Sequence, residues 1–481
     1  MPGDISIDLS HLSSSEGSDN EVNEMLQNSG LSSPCSITSE AAFTHSEDHR
    51  FVQFVNATLC DDGKLTPDSE LWVDCSSGLI IDTPSKDNLP ENFTTVDLNG
   101  DLISPGFIDA QLNGAFGFDF SDDKYGDGSE EAFKAGFQDV CKRLVKTGVT
   151  SFCPTLPSTF KQVYRKVLPT LEPTRSANGA ENLGVHLEGP FLSPQKPGCH
   201  PKDAIMTAPE KIETFKDVYG EENLKKARIV TVAAEQDGVM ESIPDLAKMG
   251  LTVSLGHSVL TYSGGCQAVK NGATMITHVY NAMKQPHHRE SGLFGLLGAN
   301  DHDLSEEPQP KRRPRSQLAA FDSSKKVFER PYYGMIVDGI HVHPSCVKIA
   351  YHSFPEGCVL VTDAMAPMGL PSGTYPWSTQ MIRKEGLKLF LDGTDTIAGS
   401  AVEMDISVRN LVDWAGISLP EALKCVTINP ARAIGVENKK GTLKPGSDAD
   451  LTILDGQGNV KKVYKLGRKA YEATKKNVPL Y

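Results

Sequence analysis

Between about residues 105 and 435, short β-branched or apolar runs alternate with segments of helical periodicity, and this alternation confines the chain to parallel α/β architectures. Phe133, Phe137, Val140, Cys141, Leu144 and Val145 fall on one helical side, and Gly148 stops that helix just before the run from Val149 to Cys153. The pattern then predicts helix 209–220, strand 227–233, helix 240–249, strand 251–256, helix 263–271 and strand 273–278. Further on it predicts strand 333–337, helix 344–353, strand 358–362 and helices near 403–415 and 419–434. About eight such units close economically into a (β/α)8 TIM-type barrel. An open doubly wound sheet is the alternative, and the lack of a Gly-x-Gly-x-x-Gly turn counts against its dinucleotide-binding form.

The flanks read differently. Phe51–Val55, Glu70–Asp74 and Gly78–Asp82 are strand-like pieces between Asp-Gly and Ser-Gly turns, and 441–454 and 460–466 repeat that character. The two ends are therefore expected to pair into one small β-sandwich domain. The predicted organisation is an acidic, Ser-rich disordered tail (1–48), a first part of the β domain (49–104), the barrel (105–435) and a second part of the β domain (436–481). Residues 301–330 interrupt the alternation as an irregular insertion, and its Lys311-Arg-Arg-Pro-Arg315 cluster reads as a solvated loop or a nuclear-import signal.

Of the net charge of −15, the first fifty residues carry −8, with nine acids against Arg50. The remainder is too mildly acidic for a nucleic-acid surface. No apolar run reaches the roughly 20 residues of a membrane span, so neither a membrane nor a nucleic-acid partner is expected. A cytoplasmic or nucleocytoplasmic chain follows. The ten cysteines are scattered without a Cys-x-x-Cys pair and read as reduced thiols.

Four of the predicted strands close on a group that binds cations or moves protons. Asn182-Leu-Gly-Val-His-Leu-Glu188 ends at a Gly-Pro turn, Leu251-Thr-Val-Ser-Leu-Gly-His257 and Ala273-Thr-Met-Ile-Thr-His278 end in imidazoles, and Cys358-Val-Leu-Val-Thr-Asp363 ends in a second carboxylate. Barrels gather such strand ends at one mouth. One oxygen and two nitrogens from Glu188, His257 and His278 suit one divalent cation per subunit, zinc first, with Co, Mn, Fe and Ni also compatible. Asp363 is then the general base, His341 in Val337-Asp-Gly-Ile-His341 a donor to a developing oxyanion, and Arg289 either an anion clamp or a surface arginine.

Pro105-Gly-Phe-Ile-Asp-Ala-Gln-Leu-Asn-Gly, His186-Leu-Glu-Gly-Pro-Phe, Leu255-Gly-His-Ser, Thr277-His-Val-Tyr-Asn-Ala-Met and Val361-Thr-Asp-Ala-Met together resemble the N-acetylglucosamine-6-phosphate deacetylases of the amidohydrolase superfamily, from about residue 51 to 470. The resemblance implies hydrolysis of N-acetyl-D-glucosamine 6-phosphate in amino-sugar catabolism, by a barrel carrying a β domain built from both termini. It implies that Glu188, His257 and His278 hold the metal and that Asp363 is the catalytic acid/base. The implied substrate contacts are Cys199, His200, Asn281, Ala282, Arg289, Asp338, Gly339, Ile340 and His341, with Ile397, Ala398 and Gly399 on a loop that closes over the sugar. A homodimer is implied too, Arg289 reaching the neighbouring subunit's site. Where many amidohydrolases carry His-x-His, this chain has Gln111-Leu-Asn113, a vestigial second-metal position whose neutral amides favour a mononuclear site. An N-acetylgalactosamine 6-phosphate deacetylase, a cyclic-amide hydrolase and a catalytically dead scaffold are the rival readings.

Overall fold

The computed structural model describes residues 50–300, 303, 329–377 and 380–474. The acidic tail and most of the 301–330 insertion, with its basic cluster, lie outside the described residues. Eight parallel strands follow one another around a nearly closed barrel: Phe107–Leu112 (β1), Val149–Leu156 (β2), His186–Glu188 (β3), Ile229–Val232 (β4), Thr252–Leu255 (β5), Ala273–Ile276 (β6), Tyr332–Met335 (β7) and Cys358–Leu360 (β8). The predicted barrel is the one found.

The seam between β8 and β1 is closed at one end only. Near the carboxyl ends of the strands, Asp363 N–H donates to Gln111 O at 2.8 Å, and Leu112 bridges Ala364. Nearer their starts a foreign segment separates the two strands, since Leu360 N–H bonds Cys425 O at 2.9 Å and Ile108 N–H bonds Val426 O at 2.8 Å. Those two carbonyls are therefore spent on barrel strands rather than on helical partners. The single helix predicted over 419–434 accordingly splits into Leu419–Lys424 and Ile428–Ala433. Ala431, Ala433 and Ile434 then pack with Ile108, Ile229, Met275 and Val359, plugging the barrel below.

Outer helices cover the strands as their periodicity requires. Glu130–Leu144 starts on Ser129, whose hydroxyl accepts from Ala132 N–H, and buries Phe133, Phe137, Val140 and Leu144. Helices Val239–Lys248, Tyr262–Asn271 and Pro344–Ser353 lie within a residue of their predicted bounds. After β6 the described part of the crossover holds a 3-10 segment, Gly292–Gly298. A three-stranded antiparallel sheet, Gly373–Trp377, Gln380–Glu385 and Lys388–Leu391, is a further addition that the barrel reading did not anticipate.

Strands from both ends of the chain form one sheet, running in order 468–472, 460–465, 451–454, 102–105, 51–61, 64–74 and 79–81, with 93–97 beside 51–61. This is the expected small β domain built from both termini, formed by one sheet curled on itself. Register shifts at Phe54/Ala57 and Ala57/Leu59 let it curl, and Phe54 meets Tyr464 edge-on at 4.9 Å although two strands separate theirs.

A buried ionic cluster ties this sheet to the barrel. Lys440 lies 2.5 Å from Glu181, 2.8 Å from Asp448 and 2.7 Å from Asp450, while Lys465 lies 2.6 Å from Asp450 and 3.0 Å from Glu181. Glu181 belongs to a short strand paired with β2, Asp450 directly precedes strand 451–454 of the sheet, and Lys465 ends strand 460–465. The three carboxylates could by spacing hold a metal ion, but Lys440, Lys465 and Arg175, 2.8 Å from Asp448, already neutralise them. Burial opposes ionisation of Asp450; the Lys465 and Lys440 charges outweigh it and hold the carboxyl down at about 2. Its contribution is therefore full above about pH 4 and fades as the pH falls toward 2. Asp450→Asn should lower the unfolding free energy by about 3–5 kcal/mol. An unchanged urea midpoint at neutral pH would show that the cluster does not carry this load.

Candidate active site

The alternation of side chains along β3 sets the site's depth. His186 and Glu188 face into the barrel one layer apart, whereas Leu187 points out into the helix-facing core. His186 donates from Nδ1 to Ala110 O at 3.1 Å and accepts at Nε2 from Thr231 Oγ1 at 2.7 Å, and Thr277 links Thr231 to Ser254. Burial lowers the His186 pKa to about 4, so this middle layer is neutral and fully bonded. Glu188 stands above it. The turn that follows is fixed by two buried hydroxyls, Tyr164 and Tyr219, both donating to Gly189 O at 3.0 and 2.6 Å. A Cβ at Gly189 would come within 2.2 Å of Ser158 Oγ, so only glycine fits.

The next residues depart from ordinary backbone. His257 (φ 47°), His278 (φ 26°) and Asp363 (φ 47°) all sit in the left-handed region, which costs non-glycine residues free energy and persists only where surroundings over-determine it. Here they do. Ser193 N–H bonds His257 O at 2.9 Å, and the Glu235 carboxylate accepts from Ser258 Oγ and Val259 N–H, both at 2.7 Å. Val279 N–H bonds Gly334 O at 2.8 Å, and Ser400 N–H bonds Asp363 O at 3.0 Å.

The kinks turn three donor atoms onto one point. Glu188 Oε1 lies 3.1 Å from His278 Nε2 and 3.3 Å from His257 Nε2, and the two Nε2 atoms are 3.0 Å apart. Donors about 2.0–2.1 Å from a tetrahedral centre stand about 3.4 Å from one another, so the set fits a zinc-type ion. His257 Nδ1–H donates to Lys196 O at 2.9 Å, which leaves a lone pair on Nε2 facing the cluster. Burial opposes ionisation of Glu188, but its hydrogen bonds with His257 and His278 and the His278 charge win and hold its carboxyl well below the usual range.

His200 also lies close enough to Glu188 and His257 to be counted as a donor. Its tautomer argues otherwise: Ser158 N–H, which can only donate, bonds His200 Nδ1 at 3.0 Å, so the ring proton sits on Nε2 and no lone pair is free there. Burial lowers its pKa to about 3, keeping it neutral. It is a hydrogen-bond donor to whatever fills the cavity.

Asp363 stands beside the cluster, accepting from Asn113 Nδ2 at 2.6 Å and Gln111 Nε2 at 3.2 Å. Burial and then the Glu188 charge push its pKa up to about 7, where a carboxyl both takes and gives a proton. His341 donates from Nδ1 to Asp338 Oδ2 at 2.7 Å and from Nε2 to Ala398 O at 3.0 Å. With an acceptor on each nitrogen the ring is cationic: burial works against the charge, and Asp338 outweighs it.

These groups open onto a cavity of about 210 Å³, room for one small molecule rather than a polymer. Of the predicted residues, Asn113, Glu188, Cys199, His200, His257, His278, Asn281, Ala282, Ile340, His341, Asp363, Ile397, Ala398 and Gly399 line it. Gln111 lies beneath it, and Asp338 and Gly339 lie behind His341. Arg289 does not join the cavity of its own chain, standing exposed on a turn closed by His287 and Glu290. Burial pushes the Cys199 thiol up to about 12, so it is a wall and not a nucleophile. Gly399 packs where a Cβ would lie 2.9 Å from Asp363 O.

The sequence reading missed Trp377, Met365 and Pro157, which give the cavity its apolar side. Trp377 arrives on the added three-stranded sheet. Its one local signal is the Gly386 turn after Gln380–Glu385, since Met381 and Ile382 are adjacent and the apolar residues of that strand do not alternate.

The amidohydrolase family model matches residues 102–470. The N-acetylglucosamine-6-phosphate deacetylase of Caenorhabditis elegans is 40% identical over 431 residues, covering 88% of this chain and 96% of that protein, and the Homo sapiens enzyme of the same name is 38% identical over 432 residues with the same coverage. A crystal structure of N-acetylglucosamine-6-phosphate deacetylase from Pasteurella multocida superposes with a TM-score of 0.71 at 29% identity, over 88% of this chain and all of that one. The chain belongs to the amidohydrolase family, in its N-acetylglucosamine-6-phosphate deacetylase branch.

Proposed function

We infer that this chain hydrolyses the acetamide of N-acetyl-D-glucosamine 6-phosphate to acetate and D-glucosamine 6-phosphate. The observation that carries the reading is the meeting of Glu188, His257 and His278 within 3.3 Å beside an Asp363 held near neutrality, at the mouth of a cavity sized for one sugar. Glu188, His257 and His278 are the residues that would hold a divalent cation, zinc first. Bound there, such an ion polarises the amide carbonyl and lowers the pKa of water toward about 7.

The rest of the reaction falls to the chain's own groups. Asp363 takes the proton of the attacking water and returns it to the departing amine nitrogen. His341, already a cation, offers Nε2–H to the developing oxyanion when Ala398 gives it up. His200 Nε2–H and Asn281 orient the substrate, while Trp377, Met365 and Ile397 cover its apolar face. We take 105–435 as the catalytic unit and 49–104 with 436–481 as the flanking β unit. The chain is read as a homodimer in which Arg289, exposed and outside its own cavity, clamps the phosphate in the partner's. No disulfide joins any of the nine described cysteines, and no helix among the described residues is long and apolar enough to cross a membrane; the thiols support a reducing, cytoplasmic setting.

The direct test pairs metal analysis of the purified protein with acetate release from N-acetylglucosamine 6-phosphate, its galacto epimer and the unphosphorylated sugar. Fastest turnover on any but the first would displace this reading. Asp363→Asn should reduce kcat by about 10²–10⁴-fold with the metal retained, and near-normal turnover would remove Asp363 from the proton path. Arg289→Ala should raise KM for the phosphorylated sugar about 10–100-fold, the loss of one charged hydrogen bond. Mixing Arg289→Ala with Asp363→Asn chains should restore sites that combine an intact cavity with an intact arginine. Failure to regain activity on mixing would place Arg289 in its own subunit's function.

A further inference from the structure

We propose that Gln111 and Asn113 are positioning residues for Asp363, holding one of its carboxylate oxygens so that only the other meets the attacking water. The inference rests on the hydrolytic reading above. Asp363 Oδ1 accepts from Asn113 Nδ2 at 2.6 Å and from Gln111 Nε2 at 3.2 Å, while Oδ2 has no donor among the described residues. Two N–H groups on one oxygen fix the rotation of the carboxylate and occupy that oxygen's lone pairs. Proton transfer is left to Oδ2.

Gln111 Nε2 also donates to Glu188 Oε1 at 2.9 Å. One amide group therefore spans the two buried carboxylates, setting their separation and offsetting their repulsion with its partial positive charge. The backbone reinforces the same contact, because Asp363 N–H bonds Gln111 O across the barrel seam.

With Asp363 ionised, as its role as a base requires, the orientation of both amides is forced. Turned over, each would place a carbonyl oxygen against a carboxylate oxygen, at 2.6 Å in the case of Asn113. As they stand, Gln111 Oε1 and Asn113 Oδ1 are buried without a hydrogen-bond partner. An orphaned buried acceptor destabilises the fold. That two of them are tolerated side by side indicates that the site is built for the donors. This separates the two roles open to these positions, since a cation ligand would present oxygen to the centre and a positioning residue presents N–H.

The test uses holoenzyme of the unchanged chain, Asn113→Ala and Asn113→Asp, the last being isosteric but without the donor. The expected result is one divalent ion per chain in all three, KM within about threefold, and kcat lowered about 10–100-fold in both variants, the cost of a misplaced reacting group. Should Asn113→Ala melt earlier than the parent, Asn113→Ser with its shorter donor replaces it, and partial recovery of kcat is expected. Unaltered kcat in the variants overturns the inference. So does a second ion in the parent that the substitutions remove, which would make the amide oxygens ligands, or a raised KM at unchanged kcat, which would make Asn113 a substrate contact. Absence of acetate release by the unchanged chain overturns the functional reading and this inference together.

Discussion

The structure depends on keeping a buried carboxylate ionised at the end of β3. An isolated charge in that position is prohibitively costly to desolvate. Glu188 is kept ionised by two imidazoles from β5 and β6 and by the Gln111 amide from β1, so four strands of the barrel converge on one oxygen. The left-handed backbone at His257, His278 and Asp363 follows from that demand, because side chains leaving strands spread along the barrel wall must turn sharply inward to meet. The cross-loop bonds from Ser193, Glu235 and Ser400 keep those turns from relaxing.

The scaffold below serves the same end. A barrel seam bonded throughout would hold β8 and β1 at one uniform spacing. Here the Cys425–Val426 segment separates their lower parts, while Asp363 and Gln111 bond directly above. The seam's upper closure is therefore also the contact that carries Asp363, and scaffold and site share one hydrogen bond. Asp109 strengthens it from beneath, accepting from Thr362 Oγ1 at 2.6 Å. On the far side, the Lys440 and Lys465 cluster fastens the terminal sheet to β2's neighbour, so the chain's two ends are tied to the barrel electrostatically.

The cavity combines two unlike surfaces. Its polar side comes from strand ends, where parallel strands align reactive groups; its apolar side comes from Trp377, Met365 and Ile397, on segments added after β8. A sugar amide has the matching division, a polar acetamide and hydroxyl edge against a carbon-rich face. The cavity's apolar side thus comes largely from the additions, and its polar side from the barrel.

By itself the sequence determined the alternation of strands and helices and the identity of the groups at their ends. Both are local: a two-residue or 3.6-residue period is written in neighbouring side chains, and a histidine closing an apolar run is visible wherever the run packs. Glu188, His257, His278 and Asp363 were legible for that reason. Tertiary structure alone decided the rest. The tautomer that makes His200 a donor depends on Ser158, forty-two residues away; the second acceptor on the His341 ring is the distant Ala398 O; the break at 425–427 depends on carbonyls claimed by β1 and β8. Trp377 entered the cavity on a hairpin whose own pattern says only that it is a hairpin. The curl of the terminal sheet follows the bulges at Phe54 and Ala57, and a bulge is a property of two strands in register rather than of either sequence. Each of these is a relation between distant segments, fixed by which donor faces which acceptor once the chain is packed.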